Sequence, residues 1–245
     1  MKLFVCLMAI AAAQAQQAGS VKLNGGYVLY EEGVAASGQP IASIASLNFS
    51  ENGSVVGTTI MKTATATTTF DVQGTYSFDS SNTGTLILNG SMIDSDGETQ
   101  SVTETFNLLS AASGDISAVR SNSGIYSVGE ISPLGAAAVR GPYLLTERAS
   151  NRPYTRLAML NFDGTGNVNG FEIVQSAGLA SKTILKGSYL AQANGFESLS
   201  LSTGVTDENG DQQTSAENYV FLPTAREIKM IRTSSGESHL ITLSH

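Results

Sequence analysis

The sequence predicts an all-β protein: two tandem homologous eight-stranded antiparallel meander barrels, with β-sandwiches as the alternative. Three observations predict it. A hairpin occurs twice: Leu47-Asn48-Phe49-Ser50-Glu51-Asn52-Gly53-Ser54-Val55-Val56-Gly57 returns as Leu160-Asn161-Phe162-Asp163-Gly164-Thr165-Gly166-Asn167-Val168-Asn169-Gly170, 113 positions later. Each copy reads as strand, glycine turn, strand. Alternation of period two is frequent, and from residue 16 onward no stretch has a convincing helical period. Turn signals recur at short intervals, among them Asn52-Gly53, Asn82-Thr83-Gly84, Asp96-Gly97, Gly164-Thr165-Gly166, Asn194-Gly195 and Asn209-Gly210.

The repeat extends past the hairpin. At the same offset Gly74-Thr75-Tyr76 falls on Gly187-Ser188-Tyr189, Leu86 and Leu88 fall on Leu199 and Leu201, and Glu104 falls on Glu217. Gly25-Gly26-Tyr27-Val28-Leu29-Tyr30-Glu31 matches Gly141-Pro142-Tyr143-Leu144-Leu145-Thr146-Glu147 at 116, and the stretch from Ile116 to Arg120 matches that from Ile228 to Arg232 at 112. Shifts this small are loop insertions. They divide the chain into homologous domains over 22–132 and 139–245, joined by a linker at 133–138. A unit of this length is a domain rather than a solenoid repeat. With few contacts expected across the linker, the two copies are expected to fold independently.

Taken in order, the chain opens on a secretory signal over 1–15. Lys2 is the basic region, Leu3 to Ala13 the apolar region, and Ala13-Gln14-Ala15 the small-x-small cleavage site before Gln16. The apolar run is too short to span a bilayer as a helix, and no later stretch approaches it, so a soluble exported protein without a transmembrane segment is expected. Strands of the first copy are expected at 25–34, 41–50, 54–64, 67–79, 83–93, 99–109, 115–121 and 124–131. The fourth shows why: Phe70, Val72, Gly74, Tyr76 and Phe78 alternate with Thr69, Asp71, Gln73, Thr75 and Ser77, one face dry and one wet. Strands of the second copy are expected at 142–148, 156–163, 167–176, 181–192, 196–206, 212–222, 226–233 and 237–244. Short connections favour an antiparallel meander. Eight such strands with one apolar face close into a barrel, which removes exposed edges. A sandwich would need longer Greek-key crossings, and few are available.

The formal net charge is −8, and removal of Lys2 makes it −9. Residues 16–140 carry four basic and eleven acidic side chains, and residues 141–245 carry eight and ten. This balance excludes general nucleic-acid binding, which needs a basic face. The single cysteine, Cys6, lies in the leader, so the fold must stand on its core without disulfides.

Each eight-stranded unit opens with a Gly-x-aromatic pattern, Gly25-Gly26-Tyr27 in the first copy and Gly141-Pro142-Tyr143 in the second. This resembles the calycin group of lipocalins, fatty-acid-binding proteins and avidins. In lipocalins a Gly-x-Trp packs against a late Arg; the resemblance would give those roles to Tyr27 or Tyr143 and to Arg120 or Arg232. Trp is absent here, and the Arg sits on the seventh strand rather than after the last. The Gly-x-Tyr, Asp-Gly-x-Gly and Gly-Thr-Tyr patterns also resemble uncharacterised exported bacterial repeat proteins.

The candidate chemistry is a Glu and an Arg facing inward together. Glu104 shares parity with Phe106 and Leu108, and Arg120 with Ile116 and Ala118. Glu217 shares parity with Tyr219 and Phe221, and Arg232 with Ile228 and Met230. Hairpins centred near Ala112 and Thr224 would make each pair direct cross-strand neighbours. Such pairs read as structural ion pairs at a barrel end, as handles for a ligand's carboxylate or carbonyl, or as a catalytic Glu. With Tyr27 and Tyr143, these four residues form the candidate ligand-binding set. No catalytic residue, metal site or cofactor is expected. Asp94-Ser95-Asp96-Gly97-Glu98 and Asp207-Glu208-Asn209-Gly210-Asp211 read as hairpin turns, since neither has the EF-hand pattern. Arg148, Arg152 and Arg156 read as a solvated loop between the first two strands of the second copy. His239 and His245 are too few for a triad or a multi-histidine metal site. Three functions remain open. The protein is a non-enzymatic barrel binding a small apolar or amphipathic ligand, a structural or interaction module with a protein partner, or an isomerase- or cyclase-like barrel enzyme. An empty lumen would favour the first and a filled one the second.

Overall fold

The computed structural model describes residues 21–93, 97–111, 113–122, 124–135, 139–148, 154–176, 178–192, 194–206, 212–234 and 240–245. Residues 1–15, expected to be a signal sequence, Arg152, His239, residues 94–96 and 207–211 of the two acidic stretches, and residues 136–138 of the expected linker lie outside the described residues. The described chain forms two closed, all-antiparallel, eight-stranded barrels in simple sequential order. The first comprises β1 (Gly25–Ala35), β2 (Pro40–Phe49), β3 (Ser54–Thr63), β4 (Thr67–Phe78), β5 (Thr83–Ile93), β6 (Thr99–Ser110), β7 (Ile116–Arg120) and β8 (Ile125–Pro133). The second comprises β9 (Gly141–Arg148), β10 (Tyr154–Phe162), β11 (Asn167–Ser176), β12 (Leu179–Ala191), β13 (Glu197–Thr206), β14 (Gln212–Pro223), β15 (Glu227–Arg232) and β16 (Leu240–Ser244). Pairing of Leu29 with Ile131 closes the first barrel, and pairing of Leu145 with Leu243 closes the second.

The inward faces make one apolar core per barrel. Leu29, Leu47, Phe49, Leu86, Leu88 and Phe106 lead the first, and Leu145, Leu160, Phe162, Leu199, Leu201 and Phe221 the second. Full burial of each such side chain stabilises by about 1.5–3 kcal/mol. The repeated Gly74 and Gly187 point inward where β4 meets β5 and β12 meets β13. A methyl group there would collide with the carbonyl oxygens of Ile87 and Ser200, so glycine permits the close approach that keeps each barrel narrow.

At one end of each barrel an aromatic trio repeats. Tyr27 meets Phe49 edge-on with ring centres 5.3 Å apart, and Phe49 meets Tyr76 at 5.1 Å. Tyr143 meets Phe162 at 5.5 Å, and Phe162 meets Tyr189 at 5.1 Å. The Tyr76 hydroxyl donates to the Leu23 carbonyl at 2.8 Å, and the Tyr189 hydroxyl donates to the Val139 carbonyl at 3.1 Å. Each trio thereby ties down the segment that leads into its barrel.

A third apolar cluster joins the barrels, where the sequence reading expects few contacts. The outer faces of β1 to β3 supply Val28, Tyr30, Ala42, Ile44 and Ile60; the second barrel supplies Phe196, Val220, Leu222 and Ile231. The Tyr30 hydroxyl donates to the Ile241 carbonyl at 3.1 Å, and Lys229 Nζ lies 4.8 Å from the centre of the Tyr30 ring. The physical reason lies in β1 and β2, which are apolar on both faces and therefore need cover on both.

Candidate functional site

At the end of each barrel away from the aromatic trio, the inward face turns from apolar to charged. On β1 the inward sequence is Tyr27, Leu29, Glu31, and on β9 it is Tyr143, Leu145, Glu147. Glu31 is 2 % exposed and Glu147 is 1 % exposed. A carboxylate so deep must be paired and hydrogen-bonded.

In the first barrel Arg120 of β7 provides the partner. Its Nε donates to Glu31 Oε2 at 3.2 Å and its Nη2 to Glu104 Oε1 at 2.7 Å, with a further contact from Nη2 to Glu31 Oε1. Ser43 donates to Glu31 Oε1 at 2.7 Å, and Ser127 donates to Glu31 Oε2 at 2.6 Å. The Arg120 guanidinium also lies 5.1 Å from the centre of the Phe106 ring. Burial raises the Glu104 carboxyl above its ordinary pKa, against the pull of Arg120. Burial alone would lower Arg120; Glu31 and Glu104 outweigh it, and its pKa is raised.

The second barrel repeats this cluster and enlarges it. Arg232 Nη2 donates to both Glu147 oxygens, at 2.9 and 3.0 Å, and lies 3.1 Å from Glu217 Oε1. Arg156 Nη1 donates to Glu217 Oε2 and to the Tyr219 hydroxyl, each at 2.7 Å, and Arg156 Nε lies 2.6 Å from Glu172 Oε2. The Tyr219 hydroxyl donates to Glu217 Oε2 at 2.6 Å. Burial raises Tyr219 well above an ordinary phenol, and burial raises Glu172 against the pull of Arg156. Burial pushes Glu217 up, but Arg156 and Arg232 together outweigh it and hold that carboxyl low. Arg156 Nη2 and Arg232 Nε are buried without a hydrogen-bond partner among the described residues.

The structure therefore brings Glu104 to Arg120 and Glu217 to Arg232, with one correction of register. Arg120 lies directly opposite Phe106, and Arg232 directly opposite Tyr219. Each hairpin centre falls one residue later than expected, which moves the partner by two. The parity is unchanged, so each Glu reaches its Arg diagonally. Tyr27 and Tyr143 sit at the other end of the barrels, in the aromatic trios.

Arg156 is the second correction. It is not in a solvated loop but on the inward face of β10, 1 % exposed. Strand β10 begins at Tyr154, and the alternation through Ala158, Leu160 and Phe162 turns Arg156 inward. Arg148 lies at the last position of β9.

Chemically, the carboxylates and guanidiniums are spent largely on one another. Each cluster holds one carboxylate more than it has guanidiniums, which disfavours capture of a free anion. Four cavities lined by described residues lie outside the barrel interiors. The largest, about 710 Å³, opens between the barrels and is lined by Asp115, Glu130, Arg226 and Glu227 among others. Others of about 610, 610 and 380 Å³ open on the outer faces of the strands.

No family model matches the chain, and no curated protein matches it. Among solved structures, that of kievitone hydratase from Nectria haematococca is similar over 91 % of this chain and 90 % of that one, at 8 % identity and a TM-score of 0.28. A likeness of that size carries no argument about activity.

Proposed function

We propose that this is an exported, non-enzymatic protein that works through the outer surfaces of two solid barrels, as a structural or interaction module. One observation carries the reading. Aromatic trios occupy one end of each interior, paired charges occupy the other, and the four cavities lined by described residues open outside. The charge clusters then serve architecture: they fix register and occupy the barrel end with carboxylates and guanidiniums paired to one another. The calycin resemblance, on this reading, is one of barrel form rather than of a ligand-filled lumen. Export rests on the sequence pattern at 1–15, and the intact mass of the exported form tests it; retention of Met1 to Ala15 contradicts it.

A second reading, a small polar ligand in the second barrel, is favoured by Arg156 Nη2 and Arg232 Nε, which are buried without a partner among the described residues. Titration with a fluorescent fatty acid and with short dicarboxylates separates the two readings. The solid-barrel reading expects no saturable uptake that Arg120→Met or Arg232→Met abolishes. Saturable uptake lost in those variants contradicts it.

A further inference from the structure

The repeat shows how one barrel of this chain recognises another, and it leaves both recognition faces available at the two ends. Within the chain, the outer face of β1 to β3 of the first barrel receives the outer face of β13 to β15 of the second. These can be termed the receiving face and the inserting face. By the repeat, the second barrel has its own receiving face, in which Leu144, Leu157 and Ile173 take the places of Val28, Ile44 and Ile60. There they are uncovered, at 39, 44 and 44 % exposure, where their counterparts are 1, 0 and 3 % exposed. The first barrel has its own inserting face, in which Leu109 and Val119 take the places of Leu222 and Ile231. They are 56 and 48 % exposed, where their counterparts are fully buried.

The open receiving face is also enlarged. Leu144 pairs with Met159, Met159 with Phe171, and Phe171 with Ile184, a row of apolar side chains across four strands. At the last three places the first barrel carries Ser46, Thr58 and Asp71, and the Thr58 hydroxyl donates to Asp71 at an exposed site. Inheritance of the intrachain interface alone does not account for this change to Met159, Phe171 and Ile184. A contiguous apolar patch of this kind on an outer sheet face marks an interaction surface. Its edge is basic, with Lys182 Nζ lying 5.0 Å from the centre of the Phe171 ring. On the open inserting face, Val119 pairs with Val128, and Val128 pairs with the exposed Glu32. At the places of Phe196 and Val220 this face carries Thr83 and Asn107, so its match to the open receiving face rests on Leu109, Val119 and Val128 and on the opposite charges of Glu32 and Lys182.

We propose that the open receiving face of the second barrel binds the inserting face of the first barrel of a second copy of this chain. The contact is heterologous, so it continues from copy to copy in a head-to-tail chain unless the rotation closes a ring. This deepens the reading of the protein as an interaction module by naming its partner. Its test reads association alone, whereas the fatty-acid titration reads the barrel interiors, so either can fail without the other.

The test is sedimentation of the exported form and of two surface variants, Phe171→Asp on the receiving face and Val119→Asp on the inserting face. Both sites are exposed, and circular dichroism confirms that each variant is folded. The wild type should grow in mass with concentration. Each variant alone should remain a single chain. An equal mixture should form a two-chain species and nothing larger, because each variant retains the face that the other lacks. A wild type that stays a single chain from micromolar to millimolar overturns the proposal. So does Val119→Asp associating as the wild type does, since that outcome means receiving faces pair with each other.

Discussion

Arg156 Nε lies 2.6 Å from Glu172 Oε2 across the β10–β11 hairpin, where the first barrel holds Ser43 and Thr59 at the same places of the repeat. The two barrels therefore share Glu31/Glu147, Glu104/Glu217 and Arg120/Arg232, and differ by one inserted ion pair. Phe106 becomes Tyr219 in the same step, and its hydroxyl accepts from Arg156 at 2.7 Å. A second guanidinium needs acceptors, and the carboxylate of Glu172 and the hydroxyl of Tyr219 provide them.

This covariation predicts a graft. Arg156→Ser alone strands Glu172 in the second barrel and is expected to cost about 3–5 kcal/mol, as breaking a buried pair does. Arg156→Ser with Glu172→Thr restores the first barrel's residues at these two places, leaves the Tyr219 hydroxyl its bond to Glu217, and is expected to cost well under half of that. Urea denaturation of both variants measures the difference. With Glu172→Thr alone measured as the second single variant, a double-variant loss equal to the sum of the two single losses would show that the pair is not coupled.

The two glutamates that face Arg232 should not be equivalent. Glu147 and Glu217 each meet both Arg232 and Arg156, but Glu147 is 1 % exposed whereas the Glu217 side chain is 22 % exposed. Glu147→Ala is therefore expected to destabilise by about 3–5 kcal/mol and Glu217→Ala by less, since the Glu217 site is partly open to water, which can solvate the charges left behind. Denaturation midpoints in the reverse order would contradict this ranking.

Glu197, 5 % exposed near Tyr143, is pushed by burial from 4.5 to about 6. A carboxyl whose folded pKa is raised contributes stability that is complete below its unfolded value. That stability is lost as pH rises through about 6. The melting temperature should decline as pH rises from the unfolded value of 4.5 past about 6. In Glu197→Gln the part of the decline belonging to this group should vanish, and the variant should be the more stable once the wild-type carboxyl is ionised. A profile unchanged by Glu197→Gln would show that the side chain is solvated.

Much of this fold is legible in the sequence. The repeated hairpin, the two-residue alternation and the turn glycines give the strand count and order. Parity on the sixth and seventh strands gives the inward Glu and Arg. Register is not legible in the same way, because the position of a hairpin centre depends on loop geometry. The Ala111 amide donates to the Asp115 carbonyl at 2.8 Å, and Gly114 takes a positive φ of 87°. Glu31 and Glu147 stand at matched positions of the repeat, and their parity with Tyr27 and Tyr143 marks them as inward. Arg156 is obscured by its spacing from Arg148 and Arg152, which suggests a charged loop until β10 is seen to begin at Tyr154. The interface between barrels has a signal as well. Val28-Leu29-Tyr30 and Ile41 to Ala45 are apolar or small on both parities, as strands covered on both sides must be.

The central claim is that the buried clusters are architectural, and the first barrel gives the cleanest measurement. Chemical denaturation should be compared for Glu31→Leu, Arg120→Met, and the triple variant Glu31→Leu, Glu104→Leu, Arg120→Met. Each single change leaves buried charge without its partner and is expected to cost about 3–5 kcal/mol. The triple variant replaces the cluster with apolar volume and is expected to lie within about 1 kcal/mol of wild type. Single losses below about half a kcal/mol, typical of exposed sites, with no coupling among the three positions, would contradict the account.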